Sequence, residues 1–416
     1  MIALIILLLT GILLLLINRV EKSFLFPPFI FNGIWFIVLF VYILVKIADP
    51  QEMDTLRSNT LLFIGFANIS FTAGGLYLLI NYRKKPVKNT YSPSKVPAIL
   101  GDTILLISVL TLILLFFKAR NMASEIEAQN FFIALRHQLT NLRLDYGILG
   151  YFLVFGLFAS LYRFMTFDNL SGISLKNKFK LITSFIISIG FLILSTGRTY
   201  FFFYFITLFI IIYFKGELKR KYIRIFFFMF FFLFILVGIV LSKGGSLTYS
   251  LSENISSSIT HILAYLNGPL LAFDRFLNSD FTHTYGENTF RFFFALLYKL
   301  NIISREPVDI VKEYLFVPYP TNVYTVFYTY VMDFGRLGTI FLIFLFGMLN
   351  SWLFYKSKSS GNHVKMLTAF SYYPLLMVFF QDQYFSLLSF WIQLWFYSLI
   401  VLKISPIIVL RRKQDG

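Results

Sequence analysis

The sequence is built from apolar blocks of about fifteen to twenty residues that are separated by shorter polar connections. A helix of that length crosses roughly 30 Å of hydrocarbon at about 1.5 Å per residue. Only 14% of the residues are charged and 58% are hydrophobic, whereas about a quarter of the residues are charged in a soluble domain. The pattern therefore predicts an all-α, polytopic membrane helical bundle.

Eleven of these blocks are predicted to be membrane spans: 1–17, 28–46, 60–81, 97–117, 146–164, 180–195, 200–214, 225–242, 337–355, 365–380 and 387–409. Basic residues follow the first block but do not precede it, so it is interpreted as a retained span and not as a signal peptide. Two further apolar pieces, 259–277 and 290–303, are short or interrupted by polar residues. They are predicted to be interfacial or re-entrant helices, and the count becomes thirteen if both cross.

The basic residues predict the orientation of the chain. Connections on one face hold 22 of the 37 lysines and arginines and four of the 20 acidic residues; these connections are 18–27, 82–96, 165–180, 215–224, 356–365 and 403–416. This face is cytoplasmic by the positive-inside bias. The N-terminus is then outside and the C-terminus inside. Because the basic residues lie in loops between spans, the net charge of +17 does not predict nucleic acid as a partner.

The remaining connections face outward, and 243–336 is by far the largest of them; the others are 47–59, 118–145, 196–199 and 381–386. The chain is accordingly divided into three parts. Residues 1–242 carry the first eight transmembrane helices, 243–336 form a large outer loop with partly membrane-associated helices, and 337–416 carry the last three helices and a short cytoplasmic tail.

Arg198 lies in a short polar break within a long apolar stretch, so a tight turn is expected to hold it close to the outer membrane surface. An arginine at that depth is costly unless it is paired or faces a polar cavity. Two interpretations stay open, an interfacial anchor and an anion-binding arginine.

The large outer loop contains the other candidate site residues. Arg275 and Arg291 stand among apolar and aromatic neighbours, and the planar fork of arginine binds phosphate or carboxylate with two hydrogen bonds. Carboxylates and histidines in the same loop can serve as a general base toward a hydroxyl group; these are His261, Asp274, His283 and Glu287. Each residue taken singly is also an ordinary candidate for a structural ion pair.

Asn322, Tyr324 and Arg336 lie close to the entrance of the ninth predicted span. Polar residues at that place fit a headgroup or sugar site, and they also fit an ordinary interfacial belt. The chain has no cysteine, and its histidines have no partner at metal-ligand spacing. Neither a metal site nor a cofactor is predicted.

Three motifs resemble those of the Wzy family of O-antigen (oligosaccharide repeat-unit) polymerases. They are Ser195-Thr-Gly-Arg-Thr199, Tyr265-Leu-Asn-Gly-Pro-Leu270 with Ala272-Phe-Asp274, and Pro320-Thr-Asn-Val-Tyr-Thr325 followed by Asp333-Phe-Gly335. The resemblance covers roughly residues 195–355. Arg275 and Gly286 also match the Arg-x10-Gly spacing of the family, and Arg336 and Gly347 match it with the glycine inside a predicted span.

The resemblance implies a fold like that of GT-C-type membrane glycosyltransferases. It implies polymerisation of repeat units carried on undecaprenyl pyrophosphate, at the periplasmic face of the bacterial inner membrane, during O-antigen and lipopolysaccharide synthesis. The donor is the growing lipid-linked glycan and the acceptor is a single lipid-linked unit; membrane lipids and a chain-length regulator protein are further expected partners.

The candidate residues receive their roles from this resemblance. Pyrophosphate or sugar is expected to contact Arg198, Arg275, Arg291, Arg336, Asn322 and Tyr324. The base is expected to be one of Asp274, Glu287, His261 and His283, and direct attack assisted by a base inverts the configuration at C1.

Two alternatives remain. A ligase that passes glycan to the lipid A core needs the same kinds of residue. A flippase or transporter for lipid-linked sugars needs charged residues inside its spans. The predicted spans are nearly free of charge, which favours an enzyme.

Overall fold

The computed structural model describes residues 1–51, 53–83, 96–126, 130–142, 144–167, 174–216, 265–309, 312–318 and 320–407. Its helices up to the large loop are α1 (Ile2–Val20), α2 (Pro27–Ala48), α3 (Ser58–Arg83), α4 (Ala98–Ala123), α5 (Phe131–Arg136, continued by the π-helix His137–Asn141), α6 (Ile148–Thr166), α7 (Leu175–Leu194) and α8 (Arg198–Phe214). The later helices are α9 (265–277), α10 (Arg291–Lys299), α11 (Phe327–Ser357), α12 (Asn362–Leu376) and α13 (Leu388–Ser398, continued by the π-helix Leu399–Ile404). Two short antiparallel strands, β1 (Leu315–Phe316) and β2 (Pro320–Thr321), pair with each other.

Eight of the described helices are long and apolar enough to cross a membrane. They coincide with eight of the eleven predicted spans, so the chain is an all-α, polytopic, multi-pass membrane protein. Two other predicted spans, 200–214 and 365–380, correspond to the shorter helices α8 and α12. The predicted span 225–242 lies outside the described residues.

The chain divides into two compact units, each made of separate stretches of sequence. Unit 1 contains 1–89, 262–359 and 371–389, and unit 2 contains 90–261, 360–370 and 390–416. In unit 1, α11 packs along α3 and α2; in unit 2, α6 packs against α4, α7 and α8.

Small residues allow α3 and α11 to approach closely in unit 1. A Cβ atom added to Gly74 would overlap the carbonyl oxygen of Phe344, and one added to Gly347 would overlap that of Phe71. Packing of helices through small residues is typical inside membranes, where close van der Waals contact replaces the hydrophobic effect. This contact fixes α11 relative to α3.

Helix α11 is interrupted at Gly335, whose φ of 68° and ψ of −176° are not helical. Its 31 residues would measure about 46 Å as one straight helix, longer than the roughly 30 Å of hydrocarbon. The span was predicted to begin at 337, whereas the helix begins at Phe327. The residues before Gly335 form a separate helical stretch that carries polar side chains toward the neighbouring loops.

Connections that were predicted to share a face contact each other in unit 1. At one end, Tyr355 donates a hydrogen bond to Glu21 (3.3 Å) and Lys358 lies 3.5 Å from the same carboxylate. At the other end, Arg275 of the large loop pairs with Asp54 of the α2–α3 connection (2.7 Å).

In unit 2, contacts also join segments that were predicted to lie at the same face. Lys215 donates to the carbonyl oxygen of Phe167 at one end, and the Tyr146 hydroxyl donates to that of Leu194 (2.7 Å) at the other. The first pair joins two connections that the charge pattern assigns to one face, and the second joins the ends of two predicted spans that border outward connections.

Candidate functional site

Helix α9 is a core element of unit 1 and not a surface helix. Four consecutive residues, 270–273, are at most 1% exposed. Phe273 packs against Phe63 of α3 and Phe327 of α11, with both ring centroids 5.7 Å away. This packing places the C-terminal end of α9 beside the α2–α3 connection. Helix α10, by contrast, has no buried residue among its nine, and its place at the membrane interface stays a prediction.

Asp274 and Arg275 are both held by the α2–α3 connection. Asp274 is 6% exposed and its Oδ1 accepts a hydrogen bond from the backbone N–H of Arg57 (2.9 Å). Arg275 is half exposed in its ion pair with Asp54. The buried carboxylate thus has a structural partner, while the arginine keeps part of its guanidinium open to solvent.

A buried carboxylate, Asp333, organises the segment 284–289. It is 2% exposed. Its Oδ1 accepts from the Thr284 hydroxyl (2.5 Å) and from the backbone and side-chain N–H groups of Asn288 (both 3.2 Å). Its Oδ2 accepts from the backbone N–H of Thr289 (2.6 Å). A buried carboxylate needs such bonds because it has lost its water.

The segment begins with a tight turn that presents Tyr285 to solvent. The backbone N–H of Glu287 donates to the carbonyl of Thr284 (3.2 Å), and Tyr285 and Gly286 have φ of 50° and 98°. Two positive φ values are typical of a type I′ turn, in which asparagine, aspartate or glycine normally occupies the first central position. Tyr285 is 85% exposed, so burial does not explain a bulky residue in this strained conformation.

His283 is exposed and lies beside the kink in α11. Its Nδ1 is 3.2 Å from the carbonyl oxygen of Met332. Because a carbonyl can only accept, Nδ1 carries the proton, and Nε2 of the neutral ring has the lone pair. A Cβ atom at Gly335 would lie 3.3 Å from this ring, so glycine there gives the imidazole room.

Arg336 directly follows the kink and is exposed. Its Nη2 donates to the carbonyl oxygen of Leu277 (2.9 Å), the last residue of α9. A cation at a helix C-terminus is favoured by the helix dipole. The contact therefore places a positive charge between α9 and the membrane-spanning part of α11.

Two cations, Arg291 and Lys312, share a partly buried environment. Arg291 Nε donates to the carbonyl oxygen of Val308 (2.5 Å), and Lys312 Nζ donates to Asn288 Oδ1 (2.7 Å). Burial lowers the pKa of Lys312 most; Asp333 opposes this effect, and Arg291 lowers the pKa further. Burial likewise lowers the pKa of Arg291, against the attraction of Asp309. A bound anion would stabilise both charges.

The other predicted residues of this region have defined surroundings. Glu287 forms an ion pair with Arg305. Tyr324 is 9% exposed, its ring stacks on that of Tyr328 at 4.4 Å, and burial raises the pKa of its hydroxyl. Asn322 is half-buried two residues earlier in the chain.

Arg198 belongs to unit 2, so its surroundings are described separately. It is the first residue of α8 and is 9% exposed. The preceding turn contains Thr196 at φ 49°, and Tyr146 holds the end of α7 through Leu194. The predicted tight turn is confirmed, and the arginine is buried. His261 lies outside the described residues.

Sequence reasoning missed two residues that matter for this site. Lys312 belongs to a mixed run of charges that resembles a solvated surface, although the fold places it next to Asn288. Asp382 is 2% exposed and accepts hydrogen bonds from the Tyr330 hydroxyl (2.6 Å) and from the backbone N–H and hydroxyl of Ser386 (both 2.8 Å). Asp382 could have been noticed in the sequence, because an acidic residue in a short connection between apolar blocks is costly unless it has hydrogen-bond partners.

The loops at this end of unit 1 carry several cations, and four that bond to neighbouring segments are named here the cationic cluster: Arg275, Arg291, Lys312 and Arg336. In the described part of the chain, no group of three His, Asp or Glu side chains is arranged to hold a metal ion.

The chain is similar in part to one curated protein. Over 136 residues it is 26% identical to a protein of Escherichia coli (strain K12) named "Putative O-antigen polymerase". The match covers 32% of this chain and 34% of that protein, so the chain spans about a third of the length of the curated relative. No protein-family model and no solved structure matches the chain.

Proposed function

We propose that the chain is a membrane glycosyltransferase that polymerises oligosaccharide repeat units linked to undecaprenyl pyrophosphate during O-antigen synthesis. The observation that carries the proposal is the cationic cluster at one end of unit 1, with His283 beside Arg336. The partial similarity to the Escherichia coli protein supports the same class of reaction. The end that carries the cluster faces the periplasm, and the opposite end, which holds Lys358 and Glu21, faces the cytoplasm.

A lipid pyrophosphate leaving group explains the need for cations at this place. As the bond between sugar C1 and the pyrophosphate oxygen breaks, negative charge collects on that oxygen. Cations and donors that are already in position stabilise this charge without reorganisation. Arg275 and Arg336 are exposed enough to bind the pyrophosphate, and Arg291 and Lys312 gain from an anion because they are partly desolvated.

His283 fits the role of general base best among the described candidates. Asp274 is buried and accepts the Arg57 N–H, and Glu287 is paired with Arg305. The Nε2 of His283 takes the proton of the acceptor hydroxyl while the hydroxyl oxygen attacks C1. The bond from C1 to the pyrophosphate then breaks, and this single displacement inverts the configuration at C1.

The cluster is tested with purified protein and lipid-linked repeat units, by measuring the length of the polymer that forms. Arg336→Ala and Arg275→Ala are each expected to reduce polymer formation at least about ten-fold, because loss of a transition-state donor raises the barrier. His283→Gln is expected to reduce it comparably.

Lys299→Ala is the matched control, since Lys299 is an exposed cation of the same loop at the end of α10. Undiminished chain length in the arginine variants would exclude their role. Transfer of single units to a lipid A acceptor without extension would identify a ligase, and movement of the lipid-linked unit across the bilayer without a new glycosidic bond would identify a transporter.

A further inference from the structure

Six aromatic rings of unit 1 follow one another in contact, and we name them the aromatic row: Tyr285, His283, Phe281, Phe276, Tyr328 and Tyr324. Successive ring centroids are 6.3, 5.4, 4.6, 4.5 and 4.4 Å apart. The residues come from three different places in the chain, so the row is created by the fold and not by one sequence motif.

Exposure along the row is graded. Tyr285 is 85% exposed at one end and Tyr324 is 9% exposed at the other. His283 is exposed, and the three rings between it and Tyr324 are half-buried. A row that served as hydrophobic core would be buried throughout. This one keeps ring surface accessible along most of its length.

The exposed end is held in place at an energetic cost. The I′ turn keeps Tyr285 at φ 50°, a conformation that bulky residues rarely adopt. Thr284, the residue before it, is fixed by its bond to Asp333 and by its backbone N–H, which donates to the carbonyl of Met332 (3.0 Å). Backbone strain at an exposed residue, maintained by buried hydrogen bonds of its neighbour, is characteristic of ligand-binding sites.

Polar groups accompany the rings. Lys312 Nζ lies 5.7 Å from the centroid of the Tyr328 ring, and the imidazole of His283 and the hydroxyls of Tyr285 and Tyr324 belong to the row itself. The acyl chain of a lipid cannot form hydrogen bonds with these groups. A sugar ring has an apolar C–H face and a rim of hydroxyls, which fits aromatic faces edged by donors and acceptors.

We infer that the aromatic row is a carbohydrate-binding track that holds the glycan by stacking, with Tyr285 as its outermost stacking residue. The inference deepens the proposed function and rests on it, because the row starts beside Arg336, where the pyrophosphate is proposed to bind. His283 lies beside the kink at Gly335 and contacts Met332, so the sugar next to the pyrophosphate is placed at His283 and Tyr285.

The test measures binding of a fluorescently labelled, lipid-free oligosaccharide, released from the organism's own surface polysaccharide, to the full-length protein in lipid nanodiscs. Tyr285→Leu and Tyr285→Gly are expected to weaken binding about three- to ten-fold, because each removes one aromatic contact. Tyr285→Phe keeps the ring and loses only the hydroxyl, so it is expected to bind the oligosaccharide more tightly than Tyr285→Leu and Tyr285→Gly.

Two variants distinguish a loss of stacking from a loss of folding. Glycine adopts positive φ freely, so Tyr285→Gly is expected to unfold at the same temperature as the unchanged protein or higher while binding glycan more weakly. Tyr314→Leu is the matched control, since Tyr314 is 66% exposed in the same loop but does not belong to the row.

Unchanged binding in Tyr285→Leu and Tyr285→Gly would overturn the inference, and so would an equal loss in Tyr314→Leu or a failure of the unchanged protein to bind the oligosaccharide. Polymer formation from lipid-linked units is measured in parallel. Glycan binding without polymer formation would overturn the proposed function and leave the track in place, whereas polymer formation with unchanged glycan binding in the Tyr285 variants would overturn the track and leave the proposed function in place.

Discussion

At the scale of single residues, the candidate site combines charges that are stabilised by the fold with charges that are not. Asp333 and Asp382 are buried and accept several hydrogen bonds each. Lys312 is different, since it is partly desolvated and lies close to another cation. We therefore expect Lys312 to respond to pH and to bound anions more strongly than an ordinary surface lysine.

The pH dependence of Lys312 has a definite sign. Because its folded pKa is lowered from 10.5, the unfolded chain binds more protons than the folded chain between the two values. The free energy of unfolding therefore rises with pH through that window. Polymer formation is expected to fall over the same range, because the ammonium loses the charge that attracts pyrophosphate.

Lys312→Arg tests this assignment, since arginine keeps its charge at high pH. The alkaline decline of polymer formation is expected to move to higher pH in this variant, measured as rate against pH on lipid-linked units. The same substitution at Lys299 supplies the comparison. An alkaline decline at an unchanged pH in Lys312→Arg would assign that decline to another group.

The sequence singles out the arginines proposed for the site, but it does not show their surroundings. Arg275, Arg291 and Arg336 stand out because cations are rare near apolar segments. The roles of Asp333 and Lys312 depend on contacts with residues about 45 and 24 positions away, and no local pattern encodes such contacts. For the same reason the aromatic row could not be predicted from the phenylalanine-rich composition.

At the scale of helices, the contact between α3 and α11 determines the packing of unit 1. Hydropathy located both helices within a few residues, except for the start of α11. That start was placed at 337, just after Asp333, Gly335 and Arg336. In the structure the early part of α11 is helical, and its polar side chains are buried among loops.

The close approach at Gly347 makes a further prediction. Gly347→Leu is expected to destabilise the protein by roughly 3 kcal/mol or more, because the new side chain would have to displace the backbone of α3 at Phe71. The measurement is the midpoint of thermal unfolding in detergent.

Gly33→Leu in α2 is the control, since an added Cβ there meets nothing within 4 Å. This variant is expected to unfold at about the same temperature as the unchanged protein or slightly above it, because leucine favours the helix. Equal destabilisation by the two substitutions would show that helix contact is not the cause.

At the scale of the whole molecule, the charge pattern predicted which connections share an end, and the contacts within each unit agree. The absolute orientation is a prediction from the positive-inside bias. It can be measured directly, because the chain has no cysteine and a single introduced thiol gives no background.

We expect Ser279→Cys to react with a membrane-impermeant maleimide in intact spheroplasts. Lys358→Cys is expected to react after the membrane has been permeabilised and not before. Both residues are accessible, so a difference in labelling reports the side of the membrane and not burial. The opposite pattern would invert the predicted topology and place the cationic cluster in the cytoplasm.

The bonds of Asp333 also have a consequence for biogenesis. The turn at 284–289 is completed by a carboxylate that lies 44 residues after Thr289, so the ribosome must make those residues before the turn can close. At roughly 5–20 residues per second, translation needs a few seconds for this stretch. During that interval the turn lacks its carboxylate partner. Retention of the early part of α11 by the insertion machinery would lengthen the interval. Because Asp333 follows the turn in the sequence, this region can complete its fold only late in synthesis.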